Sequence, residues 1–167
     1  MSKLLTALSL IAFGFIVEAN ADESSLYVIK AVNVNVPAAI TWEKISKFGD
    51  LGAWHPAVAK TEIVAGTDGK KGAKRILTLQ DGGKINESLT AYNAKAKSMS
   101  YIITESVLPV TNYASTLHVY SNGADKSVVV WEGDFKAKAP ADEKTASETI
   151  GGVYDGGLAN LKKILEQ

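Results

Sequence analysis

Between Leu26 and Lys138 apolar and polar residues alternate in short runs, broken by glycine, proline, asparagine and aspartate. Leu26 to Val36 is rich in β-branched residues and predicts a first strand. Pro37 closes it. The next stretch, AAITWEKISKFG over 38–49, places Ile40, Ile45 and Phe48 at near-helical spacing, with Gly49 as a stop. Strand-like runs then follow at 61–65, 73–80, 84–92, 98–107, 112–121 and 126–138. Pro140 and Asp142 are start signals for a closing helix, in which Ile150, Val153, Tyr154, Leu158, Leu161 and Leu165 hold helical spacing to the C-terminus. One strand, two short helices, six strands in a meander and a long helix predict an α+β fold, with a seven-stranded antiparallel sheet and its helices on one side. A sheet of that width curls, and a helix lying in the curl need not fill it.

Alternation also sorts the faces. Arg75, Leu77 and Leu79 share one side of their strand, and Ile85, Glu87, Leu89 and Ala91 the matching side of the next. A three-residue loop at Asp81-Gly82-Gly83 would pair Leu79 with Ile85, Leu77 with Glu87 and Arg75 with Leu89. Arg75 would then lie diagonal to Glu87, within reach of an ion pair. The same parity turns Met99, Tyr101 and Ile103 inward, then Tyr113, Ser115, Leu117 and Val119, and finally Trp131, Gly133, Phe135 and Ala137. The expected inner face is therefore aliphatic and aromatic, interrupted by a carboxylate, a guanidinium, phenols and a hydroxyl. Buried charges of this kind cost several kcal/mol unless paired. GGVYDGG over 151–157 adds four glycines to the helix, each about 1 kcal/mol worse than alanine there. Either close packing against the sheet or space for a ligand would account for them.

The N-terminus changes the context. Lys3 precedes an apolar run from Leu4 to Val17, and Ala19-Asn20-Ala21 fits a cleavage site, so residues 1–21 read as a secretory signal peptide. Residues 22–167 remain as a single domain, with no membrane span after cleavage and a periplasmic or secreted destination. No cysteine is present, so no disulfide framework is expected. Eighteen basic and eighteen acidic residues balance, which argues against nucleic acid as a partner. The two histidines fall in different elements, so no metal site is expected, and no cofactor motif appears: GTDGKK lacks the phosphate-loop spacing.

One segment is chemically unusual. FGDLGAWHPAVAK (48–60) sets Trp54, His55 and Pro56 side by side in a connection, where small polar residues are the rule. His55 titrates near neutrality and could hold an anionic group or move a proton. His118, on the outward parity of its strand, reads as a surface residue.

FGDLGAWHPAV, LQDGGKINESL, ITESVLPVTNY and the glycine-rich closing helix together resemble the SRPBCC superfamily, which includes START domains, polyketide cyclase/dehydrase-like proteins and plant abscisic-acid receptors. The resemblance runs from about residue 27 to 165. It implies a helix-grip fold, a sheet wrapped around the long C-terminal helix with a mostly apolar cavity between. In the abscisic-acid receptors the anchoring lysine falls at His55 and the buried glutamate at Glu87, while Tyr113 and Ser115 match cavity residues. The glycine loop is shorter here, and Leu108 stands near the receptors' latch histidine, which puts hormone-style gating in doubt. The resemblance implies a small hydrophobic or amphipathic ligand. Trp54, Leu77, Leu79, Leu89, Tyr101, Ile103, Trp131, Phe135 and Tyr154 would form its apolar wall, with His55, Arg75, Glu87, Tyr113 and Ser115 near its polar end. Two other roles follow from it. Exported members resemble a periplasmic protein that assists a dehydrogenase–cytochrome pair in methanol oxidation. Cyclase relatives would use His55, Glu87 and Tyr113 for acid–base dehydration.

Overall fold

The structure, a computed structural model, describes residues 25–167; the leader read over 1–21 lies outside them. Its elements are β1 (Leu26–Val34), α1 (Ala38–Ile45), a 3-10 helix (Phe48–Ala53), β2 (Val58–Ala65), β3 (Lys74–Leu79), β4 (Lys84–Asn93), β5 (Ser98–Ser106), β6 (Val110–Ser121), β7 (Ser127–Ala137) and α2 (Glu143–Leu165). All pairs in the sheet are antiparallel, in the order β1-β7-β6-β5-β4-β3-β2. The meander thus runs from β2 to β7, and β1 closes beside β7. This is the α+β helix-grip arrangement expected from the order of elements.

α2 begins where Asp142 accepts a hydrogen bond from the Thr145 backbone N–H at 2.7 Å. Its 23 residues span about 35 Å. Glu143 stands in the first turn and Lys162 and Lys163 in the last, matching the helix dipole at both ends. Ala146, Ile150, Tyr154, Leu158 and Leu161 form the buried stripe. A large apolar side chain fully buried in this way contributes roughly 1.5–3 kcal/mol. No helix among the described residues is long and apolar enough to cross a membrane.

Three local expectations are corrected. In α1 the buried face is Ala38, Trp42 and Ile45, and Ile40 is 48% exposed. Trp42 takes the inward place because its ring packs on Tyr92, 5.6 Å away. In β4 an irregularity between Leu89 and Ala91 flips the parity, so Ala91 faces out and Tyr92 turns toward α1. The β3–β4 register also differs by two residues: Arg75 pairs with Glu87 and Leu77 with Ile85. The hairpin turns one residue earlier than expected, at Gln80-Asp81-Gly82, with Leu79 N–H bonded to Gly83 O and Gly82 at φ +87°. A shift of two preserves the faces, so the inner set survives while its partners change.

Candidate functional site

The Trp-His-Pro segment is clamped beneath α2. Backbone N–H groups of Trp54 and His55 both bond to Leu51 O, ending the 3-10 helix in a tight turn. Asn160 of α2 donates its Nδ2 to Trp54 O at 2.9 Å. Trp54 packs on Trp131, with centroids 5.6 Å apart, and Trp131 stacks on Tyr154 at 4.6 Å and 14°. These three rings form one continuous stack inside the grip.

His55 is 3% exposed. Its Nδ1 accepts the Ala57 N–H at 3.2 Å, which leaves Nε2 as the protonated nitrogen, donating to Val153 O at 2.9 Å. Both ring nitrogens are therefore engaged within the protein. Burial lowers its pKa below the ordinary 6.5, against the opposing effect of the Val153 bond. The ring reaches the helix backbone because residue 157 is glycine: a Cβ there would fall 2.5 Å from His55 Cδ2 and 2.9 Å from Trp131 Cζ3. The two odd features of the sequence, the Trp-His-Pro connection and the glycine-rich helix, meet at this contact. At Gly152 and Gly156 an added methyl group would meet nothing within 4 Å.

The inner polar residues divide into two clusters. In the first, Arg75 Nε donates to Glu87 Oε2 at 2.5 Å, and Nη1 donates to Phe48 O. The guanidinium lies 4.0 Å from the centroid of Phe48 and 5.1 Å from that of Tyr101, so it is sandwiched as well as paired. Burial raises the Glu87 pKa, opposed by the charge of Arg75. Its second oxygen, Oε1, accepts no hydrogen bond from a described residue. The second cluster is a hydroxyl network. Tyr113 and Tyr154 share a bond of 2.6 Å, Tyr154 and Ser115 one of 3.2 Å, and Ser115 donates to Glu132 O at 2.7 Å. Trp131 Nε1 bridges Tyr101 OH and Ser115 Oγ. Tyr154 enters the sheet over Gly133, where a Cβ would lie 2.3 Å from its hydroxyl. Burial pushes Tyr101 up to about 12 and raises Tyr113 and Tyr154 as well, so these phenols act as neutral donors and acceptors.

Between the clusters, sheet, helix and their connections border a cavity of about 80 Å³. Of the expected site residues, His55, Leu77, Leu79, Glu87, Tyr101, Ile103, Tyr113 and Trp131 line it. Trp54, Arg75, Leu89, Ser115, Phe135 and Tyr154 stand outside the lining, as supporting core. Leu51, Ala57, Val58, Ile85, Leu108, Ile150 and Val153 complete the wall. Ile85 shares parity with Glu87 and Ile150 and Val153 belong to the apolar face of α2, so those three carried a signal. Leu51 and Val58 come from a connection and a strand start with none, and Leu108 was marked only by its place near the latch position of the resemblance. The volume is about half that of a roughly 150 Å³ cavity that binds benzene, and it suits a short alkyl group.

Comparison with known proteins agrees with this architecture. The polyketide cyclase / dehydrase and lipid transport family matches residues 28–166. Among solved structures, XoxI from Bacillus cereus is 28% identical, with a TM-score of 0.75 over 83% of this chain and 94% of its own. An uncharacterised Bacillus thuringiensis protein is also 28% identical, with a TM-score of 0.77 over 85% of this chain and all of its own, 100%. The Zhui aromatase/cyclase of Streptomyces, at 17% identity and a TM-score of 0.71 over 86% and 94% of the two chains, shares the fold alone. No curated protein sequence matches significantly. With the family match spanning nearly all the described residues, the chain belongs to the polyketide cyclase/dehydrase and lipid transport family.

Proposed function

We propose that this protein is exported to the periplasm and holds a small hydrophobic or amphipathic molecule in the grip between sheet and α2, without turning it over. The observation that carries the reading is the cavity between sheet and α2, whose wall is aliphatic and aromatic apart from His55, Glu87 and the hydroxyls of Tyr101 and Tyr113. Such sites bind by apolar contact and orient by a few polar groups. The arrangement of His55 favours binding over acid–base turnover, since neither nitrogen is left to face a reactant. Tyr113 likewise directs its hydroxyl to Tyr154.

Native mass spectrometry of the protein purified from a periplasm, compared with its denatured mass, tests this. Extra mass lost on denaturation identifies the cargo; a protein consistently free of cargo and unresponsive to small apolar probes sinks the reading. A second reading, assistance to a periplasmic dehydrogenase–cytochrome pair, is favoured by the exposed outer sheet residues Tyr27, Ile29 and Tyr120. Under it, variants of these residues lose a crosslinked partner while cavity variants keep it.

A further inference from the structure

The sheet is split at one end. β5 and β6 pair from Ser98↔His118 to Ile102↔Ala114 and no further. Beyond that point β5 stays bonded to β4 as far as Ser106, and β6 to β7 from Val110 onward. Each strand carries an extra residue at the split. On β5 it is Thr104, between Glu87↔Ile103 and Asn86↔Glu105. On β6 Asn112 and Tyr113 together span one position of β7, with Asn112 at φ +52°. Bulges bend a strand and end its pairing, and these two curve neighbouring strands apart.

A cleft of about 540 Å³ lies between them. Consecutive residues of both parities line it on each side, so it opens between the two strand edges and not along one face. Ile103 and Tyr113 line both this cleft and the inner cavity. Together the two compartments reach the roughly 300–1,000 Å³ usual for small-molecule sites, which the cavity alone does not.

We infer that the split between β5 and β6 is the polar half of the ligand site, taking the electrically neutral, hydrogen-bonding head of a molecule whose short alkyl group occupies the inner cavity. This rests on the carrier reading above and names its ligand class: an amide or hydroxyl head on a short apolar chain. Two strand edges border the cleft, with main-chain groups outside the β5–β6 ladder. Thr111 and Asn112 add a hydroxyl and an amide, and Thr104, whose own proton goes to Asn86 O, adds an acceptor. Glu105 and Lys138 oppose one another in sign, so the walls carry no net charge that would hold a lone carboxylate or ammonium. A polar head placed in the cavity instead would lose its water against an almost wholly apolar wall.

Amide spectra of the isotope-labelled protein, titrated separately with N-butylacetamide, n-pentane, n-butylammonium and butyrate, test the inference. N-butylacetamide should shift both the cavity amides of Leu77, Ile85 and Ile150 and the cleft amides of Thr104, Thr111 and Asn112. Pentane should shift the cavity set alone, and the two ions should bind more weakly than the amide. Asn112→Gly keeps the left-handed backbone and should weaken N-butylacetamide about fivefold, the worth of one hydrogen bond, with pentane unchanged. If N-butylacetamide moves only the cavity set, the cleft is not part of the site and the carrier reading stands. If no probe moves either set, both readings fall. Ions binding as well as the amide would overturn the neutral head class.

Discussion

Gly157 sets the depth at which α2 rests on the sheet. Gly157→Ala gains about 1 kcal/mol of helix propensity, but its methyl must displace the rings of His55 and Trp131. Overpacking of that kind costs about 1–3 kcal/mol, so a net loss of stability is expected in urea unfolding. Gly152→Ala meets nothing within 4 Å and should stabilise by about 0.5–1 kcal/mol. Equal responses at the two positions would show that ring contact does not govern residue 157. His55 gives a pH signature at the same contact. Its folded pKa lies below the ordinary 6.5, so on acidification the unfolded chain takes up that proton first. The contribution of neutral His55 is fully present above 6.5 and is lost as pH falls from there through the folded value. Glu87, raised above 4.5, runs the other way: its contribution is present below 4.5 and is lost as pH rises through its folded value. Comparing the protein with His55→Gln isolates the histidine. Between about pH 7 and pH 5 the unmodified protein should lose more stability than the variant; parallel profiles would count against the buried, neutral imidazole.

At the scale of elements, β3 and β4 are joined by an ion pair that is almost wholly buried. Arg75 and Glu87 are 3% and 5% exposed and directly opposite. Removing either partner leaves a buried charge, and Arg75→Met or Glu87→Gln should each cost about 3–5 kcal/mol. The double replacement Arg75→Met/Glu87→Leu should recover most of that loss, since apolar groups need no partner. Chemical denaturation of all four proteins gives the coupling; singles that cost under about 1 kcal/mol would mean that the pair is hydrated. Sequence alternation placed both residues on the inner face but made them diagonal. Either of two adjacent glycines could close the turn, and it is Gly82, not Gly83, that takes the left-handed position. Moving the centre of a hairpin by one residue moves every pairing by two, so turn geometry decides which residues stand opposite while the faces stay the same.

For the whole molecule, the aromatic stack of Trp54, Trp131 and Tyr154 leaves room for only about 80 Å³ inside the grip. Val153→Phe places a ring in that space from the helix side. The variant should fold and lose any mass carried by the unmodified protein in native mass spectrometry. Retention of the same cargo would put the binding site elsewhere.

The order of elements, the inward faces of most strands and the buried stripe of α2 were all legible in the chain, because local periodicity encodes which side of an element meets the core. Leu77, Leu79, Glu87, Tyr101, Ile103, Tyr113 and Trp131 reach the cavity wall as that parity requires. The rest depended on partners. Whether Ala91 or Tyr92 faces in is set by a bulge, which exists only relative to the strand beside it. The split between β5 and β6 has the same origin. Residue order alone established that His55 is a titratable ring in an unusual connection and that α2 is rich in glycine. Folding in three dimensions was needed to bring Val153 O to that ring and the ring to Gly157, because contacts about a hundred residues apart arise from packing and leave no trace in local pattern.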